Sequence, residues 1–347
     1  MRNKLSVIIP FYFSENKKND KKNNFSLLAF KKCLSAVFNS SYRNFEVIAV
    51  SDGSIVESIK LVKKYPCKLI NIKKNSGAGF ARNLGAKKSI GNILIFLDSD
   101  VEIKTNALKI INDYFSLKKN HGMIQGIYSN KIKYKSYTNE YLQCYYSYYI
   151  FTETKKHKFT QSLITNIFAI KRKIFEENKG FDSKFSGANL EDQEFGFRLQ
   201  NNGHKIPILR NLNTIHHVNF GIIEFIKKIT NIQIGEMKMH LRHKKTFIQK
   251  SVQKNYWGVI SGLILISTII GLIFINLFFK TPFFSESLIL LNSLFLGIHL
   301  GFLKYVFLSK GFFSALRSIF YCYLHRIIVV NCAICGLIDF YVFGKKY

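Results

Sequence analysis

Residues 96–103 read FLDSDVEI and set Asp98 and Asp100 one residue apart at the end of an apolar run, NILIFL. Two carboxylates so spaced on a strand project to one side of the chain and repel each other, so the pattern predicts a cationic group beside them. A second set of acids, Glu191, Asp192 and Glu194, lies in LEDQEFGFRL. Phe195, Phe197 and Leu199 there supply the packing face of an amphipathic helix, and the first acids project from its N-terminus. A carboxylate held in that way is suited to take a proton from an attacking hydroxyl. Acids are favoured in any first helical turn, so this cluster gains meaning only in company with the acids upstream. Asp52 in VSDGS and the pair His216 and His217 are the remaining groups of this kind.

The elements that must position these groups follow from hydrophobic period. LSVIIPFY, FEVIAVSDGS, CKLINIKK and NILIFLDSD read as strands, and the first is apolar enough to be covered on both faces. Between and after them, FSLLAFKKCLSAVFNSS, SIKLVKKY, GAGFARNLGAKKSI and NALKIINDYFSLKK read as helices. Strands alternating with helices of this size predict an α/β domain with a parallel sheet and helices on both faces, whose ligands bind outside the carboxyl ends of the strands. Asp52, Asp98 and Asp100 fall at those ends. Gly85, inside a helix, is expected to allow close packing on the sheet. The aromatic and basic stretch 126–158, with YLQCYYSYYIF, has no clean period and reads either as a helix packing on the sheet or as a surface for a lipid acceptor.

Taken in order, IIPFY, SDGS, NSGAGFARNLG, DSD, GFD, NLEDQEFGFRLQNNGHKI and the histidine pair make residues 5–220 resemble the family 2 glycosyltransferases, an inverting group with the Rossmann-like GT-A fold. The resemblance implies a nucleotide-sugar donor, a UDP-sugar favoured, bound by Pro10, Tyr12, Asp52, Arg82 and Asp98. It gives Asp52 to the ring NH of the base, Arg82 to base or diphosphate, and Asp98 to ribose or a metal-bound water. Asp100 becomes the direct ligand of a divalent cation, Mg or Mn by its oxygen donors, with His217 as a further ligand and His216 as the alternative. Asp192 becomes the catalytic base and Glu191 its neighbour, orienting the acceptor or the local backbone. Ser51 stands where the family often has a first Asp. Gly77 and Gly79 belong to a tight turn against the nucleotide, since GAGFAR lacks the third glycine of a dinucleotide fingerprint.

Composition separates this front from the rest. Glu286 and Asp339 are the only acids after Gly258, and apolar runs occupy 257–279, 287–308 and, less cleanly, 324–343. A bilayer core takes roughly 20 apolar helical residues, so two spans are expected and a third is open, with residues 312–324 an alternative interfacial helix. The expected organisation is a catalytic domain over 1–230, a basic juxtamembrane connector over 231–256 and a membrane region over 257–347. Lys304, Lys310 and Arg317 around the junction that follows the second run, against a nearly neutral TPFFSE, place the front domain in the cytoplasm of a multi-pass inner-membrane protein. MRNKLSVIIPFYF lacks the apolar length of a secretory signal.

The net charge of +30 fits anionic headgroups and a phosphate-bearing substrate. Nucleic acid is not expected as a partner, because no RNP or zinc-finger spacing occurs. Six scattered cysteines show no disulfide framework, and the single CxxC, Cys332 and Cys335, lacks a second ligand pair. The acceptor expected is a lipid-linked or other glycan. A processive polysaccharide synthase would carry QxxRW, whereas the one tryptophan, Trp257, follows KNY. A sugar nucleotidyltransferase would show GxGxR where this chain has FYFSENKK, and a silent nucleotide-sugar-binding membrane protein would not need its acids.

Overall fold

The protein is described by a computed structural model over residues 3–14, 20–117, 122–129, 136–156, 159–160, 162–185, 190–251, 256–280 and 283–344. It divides into two compact units, Met1–Tyr134 with Tyr149–Asn219, and Lys135–Tyr148 with Phe220–Tyr347.

In the first unit, β1 (Leu5–Phe11) is buried at every position, as a strand apolar everywhere but Ser6 requires, and Ser6 Oγ donates to Glu46 Oε1 at 2.6 Å. After α1 (Asp20–Phe38), β2 (Phe45–Asp52) lies parallel to it, and after α2 (Val56–Val62), β3 (Lys68–Ile72) lies parallel to β2. Helix α3 (Ala78–Lys87) then leads to β4 (Ile93–Leu97), parallel to β1 on its other side. Alternate β1 side chains serve two cores. Leu5, Val7 and Ile9 meet Phe30 and Leu34 of α1, whereas Ile8 meets Ala86 of α3 and Phe96. A Cβ on Gly85 would lie 2.5 Å from Ile8 Cγ2, so this helix reaches the sheet as expected only because residue 85 is glycine.

The other half departs from the parallel expectation. It comprises β5 (Val101–Ile103), α4 (Ala107–Leu117), β6 (Met123–Tyr128), α5 (Tyr137–Lys156), β7 (Phe159–Thr160), β8 (Ile167–Lys171), α6 (Arg172–Glu177), α7 (Glu191–Asn201) and β9 (Ile206–His216). The sheet runs β3-β2-β1-β4-β8-β6-β9-β5, with β7 on β9. Strand β8 is antiparallel to β4 and β6, and β5 is antiparallel to β9, so the sheet is mixed. Strand direction depends on distant partners such as Phe96 opposite Phe168, which no local period encodes.

In the second unit α5 begins among α8 (Ile222–Ser251), α9 (Tyr256–Phe279), α10 (Phe284–Lys310) and α11 (Phe312–Tyr341). Tyr141, Leu142 and Cys144 pack with Phe225, Phe295, Phe302 and Tyr321, so YLQCYYSYYIF lies on a helix whose first half fills this core, while residues 126–128 belong to β6. Its polar tips are matched: Tyr141 Oη lies 3.2 Å from His325 Nδ1, and Thr138 meets Tyr321 at 2.8 Å. Asp339 pairs with Lys238 at 2.8 Å.

Helix α8 covers 231–251, where the sequence suggested a connector, and the units divide at 219–220 rather than 230. Helix α11 is continuous from Phe312, with no break at 324. Among the described residues α10 and α11 are long and apolar enough to cross a membrane, while the apolar stretch Ile264–Phe279 of α9 is shorter.

Candidate active site

Asp52 stands at the carboxyl end of β2, and Asp98 and Asp100 follow that of β4. Both Asp52 oxygens accept backbone N–H groups, from Ser76 at 2.7 Å and Gly77 at 2.8 Å, at the start of α3. The charge sits where helix N–H groups point outward, which fixes the NSGAG turn. Gly53 makes this approach possible: its φ is +74°, and a Cβ would lie 2.8 Å from Asn75 N. Pro10 lies opposite Val50, and Tyr12 just beyond β1 is 50 % exposed. Ser54 Oγ donates to the Phe11 carbonyl and accepts from Phe13 N–H, tying the Tyr12 segment to the loop after β2.

Asp98 and Asp100 do not remain on one strand face. The chain turns after β4, with Val101 N–H reaching Asp98 O at 3.3 Å, and the two carboxylates take different partners. The cationic group expected beside them is, for Asp98, Arg82, whose guanidinium donates to Asp98 Oδ1 at 2.9 Å. Arg82 is only 4 % exposed, and it also donates to Glu191 Oε1 at 2.6 Å and Thr165 Oγ1 at 2.8 Å. The residue assigned to base or diphosphate therefore joins the DSD turn to the start of α7. Burial opposes the Arg82 charge, but Glu191 and Asp98 raise its pKa well above the ordinary value.

Asp100 Oδ2 lies 3.2 Å from His216 Nε2, and the His216 ring stacks on Tyr128 with centroids 4.6 Å apart. His217, the residue preferred by the sequence reading, points elsewhere: its ring is buried, with Nε2 2.7 Å from Glu102 Oε2. Its backbone N–H donates to Asp100 O at 2.8 Å. Adjacent residues of an extended chain face opposite ways, so only one of the two rings can meet Asp100.

Helix α7 opens with Glu191, Asp192 and Glu194 as expected. Glu194 is removed from chemistry by Arg198, which binds it at 2.6 Å and 2.9 Å. Glu191 is buried and its Oε2 has no hydrogen-bond partner. Asp192, the partly exposed neighbour, accepts from Gln193 N–H at 2.7 Å. Burial pushes both the Glu191 and Asp192 carboxyls above the ordinary range; for Asp192 the Glu191 charge adds to the rise while Arg82 opposes it.

Carboxylate oxygens with an imidazole nitrogen form a donor set suited to Mg or Mn, and Asp100 with His216 already converges. Among the described residues no three such side chains stand close enough to hold an ion by themselves. Thr165, Tyr128 and Glu102 escaped the sequence reading. LITNIF and the single Tyr128 carry no signal, and only the alternation of Asp98, Asp100 and Glu102 hints at the last.

Residues 6–178 match the family model described as glycosyl transferase family 2. An uncharacterized glycosyltransferase of Rickettsia bellii is 40 % identical over 110 residues, 31 % of this chain and 14 % of that protein. The poly(ribitol-phosphate) beta-N-acetylglucosaminyltransferase TarS of Staphylococcus aureus is 33 % identical over 112 residues, 30 % of this chain and 18 % of its own. The chain thus spans less than a fifth of the length of these relatives. Among solved structures, the mannosyltransferase PcManGT of Pyrobaculum calidifontis, in complex with GDP-Man and Mn2+, superposes with TM-score 0.68 at 13 % identity. That alignment covers 98 % of this chain and 88 % of that one, which shows the GT-A fold. Since the family model spans the strands that carry Asp52, Asp98 and Asp100, and the sheet around them is that of a GT-A enzyme, the chain belongs to glycosyltransferase family 2.

Proposed function

We propose that the protein transfers a single sugar, with inversion, from a nucleotide-sugar, a UDP-sugar favoured, to a lipid-linked or other glycan acceptor at a membrane. The observation that supports this most is the Arg82 bridge, which holds Asp98 and Glu191, the latter 109 residues of sequence from Arg82, on one guanidinium. A donor acid and the helix bearing a candidate base thereby share one buried cation.

In this reading Asp192 accepts the proton of the acceptor hydroxyl as its oxygen attacks the sugar carbon opposite the departing nucleotide. Its raised pKa makes it the stronger base once ionised, and Glu191, held by Arg82, orients the helix end. Asp52 and the Tyr12 segment receive the nucleotide. Asp100 and His216, with the donor's diphosphate completing the set and Asp98 close by in the same turn, would hold Mg or Mn, His216 taking the place first given to His217. The cation supplies charge neutralisation for the diphosphate leaving group. The GT-A fold holds GDP-Man and Mn2+ in the Pyrobaculum enzyme.

Membrane association is supported by α10 and α11, whose exposed apolar side chains include Leu290, Phe307, Phe313 and Leu337. We place the protein in the inner membrane with more than one span and the catalytic domain in the cytoplasm, in the synthesis of a cell-envelope glycan. Incubating membranes that contain the protein with a panel of nucleotide-sugars tests the reading. Sugar transfer to lipid or glycan is expected, and Asp192→Asn should keep donor affinity while losing ~10² to 10⁴ of the rate. Near-normal transfer by that variant would remove Asp192 as the base.

A further inference from the structure

Strand β5 follows the acids directly, and it is only three residues long. Val101 and Ile103 turn into the core, so Glu102 points away from it. In the antiparallel register Glu102 lies opposite Ile215, which makes it the diagonal neighbour of His217. Their side chains meet at 2.7 Å, with the imidazole wholly buried. A buried ring bonded in this way has its rotation fixed. His217 in turn donates its backbone N–H to Asp100 O, and His216, one residue earlier, presents Nε2 to Asp100 Oδ2. The contacts thus run without a gap from Glu102 through His217 to both sides of Asp100.

We propose that Glu102 is a positioning residue. Through His217 it sets the Asp100 and His216 side chains for binding a divalent cation together with a nucleoside diphosphate. The inference rests on the cation reading above. It differs from a plain strand clasp: a clasp that only joined β5 to β9 would, when removed, lower stability and leave the cation affinity of the folded protein unchanged. Outer-shell partners of metal ligands instead change affinity by about 10 to 100-fold.

The full chain in detergent is titrated with Mn2+ in the presence of UDP, and in parallel GDP, and bound ion is read by electron paramagnetic resonance. Glu102→Ala and His217→Phe should each weaken Mn2+ binding by about 10-fold or more. Glu102→Gln, which still offers His217 an acceptor, should stay close to wild type. Thermal melts identify the folded fraction, and His217→Phe, which refills the buried volume, carries the test if Glu102→Ala does not fold. Asp100→Asn is the reference. If it abolishes binding while Glu102→Ala and His217→Phe retain wild-type affinity, the positioning role is wrong and the cation reading stands. Weakening by Glu102→Ala alone would make Glu102 a direct ligand and likewise overturn the proposal. A wild-type protein that takes up no Mn2+ with either nucleotide would overturn both.

Discussion

Arg82 illustrates what single residues decide here. Its type was legible, but its partners Asp98, Thr165 and Glu191 lie 16, 83 and 109 positions away. Removing a buried partner strands the opposite charges, so Arg82→Ala should cost about 3 to 5 kcal/mol in denaturant unfolding. The sign of the pH dependence follows from the raised Asp192 carboxyl. Below the ordinary carboxylate pKa both folded and unfolded states hold the proton. As pH rises beyond it, the unfolded state ionises first, and folding loses stability until pH passes the raised value. Asp192→Asn should therefore gain stability relative to wild type across that window, measured by melts at several pH values. In the wild type, transfer should climb through the same window, because the base acts only when ionised.

At the scale of elements, hydrophobic period located the strands β1 to β4 and the helices between them, since each meets the core through its own repeating face. Gly85 was legible as a packing glycine for the same reason. Gly85→Ala forces a Cβ against Ile8 and should destabilise the first unit by about 1 to 3 kcal/mol. Circular-dichroism melts would show it, with the spectrum itself unchanged. The period gave no warning that β8 runs antiparallel or that the first half of α5 joins the second unit. The tyrosines of α5 are apolar at the ring and polar at the tip, so they blur any simple repeat, and their partners, Phe302, Tyr321 and His325, come from helices more than 150 residues later.

For the whole molecule, charge placement predicts topology. A cysteine placed at Ser285, at the start of α10, should react with an impermeant reagent in intact cells, and protection there would reverse the proposed orientation. Carbonate washing of membranes should likewise leave the chain in the pellet if α10 and α11 span. Motif order alone was enough for the resemblance to family 2 glycosyltransferases and its GT-A fold, and burial period put Asp52, Asp98 and Asp100 at strand ends, because both are local properties of the chain. Tertiary structure decided the rest: Arg82 as the bridge between two acids, His216 rather than His217 beside Asp100, and Glu102 behind them. Those outcomes depend on which residues a turn and a three-residue strand bring face to face, and pairing across a sheet is written in neither partner by itself.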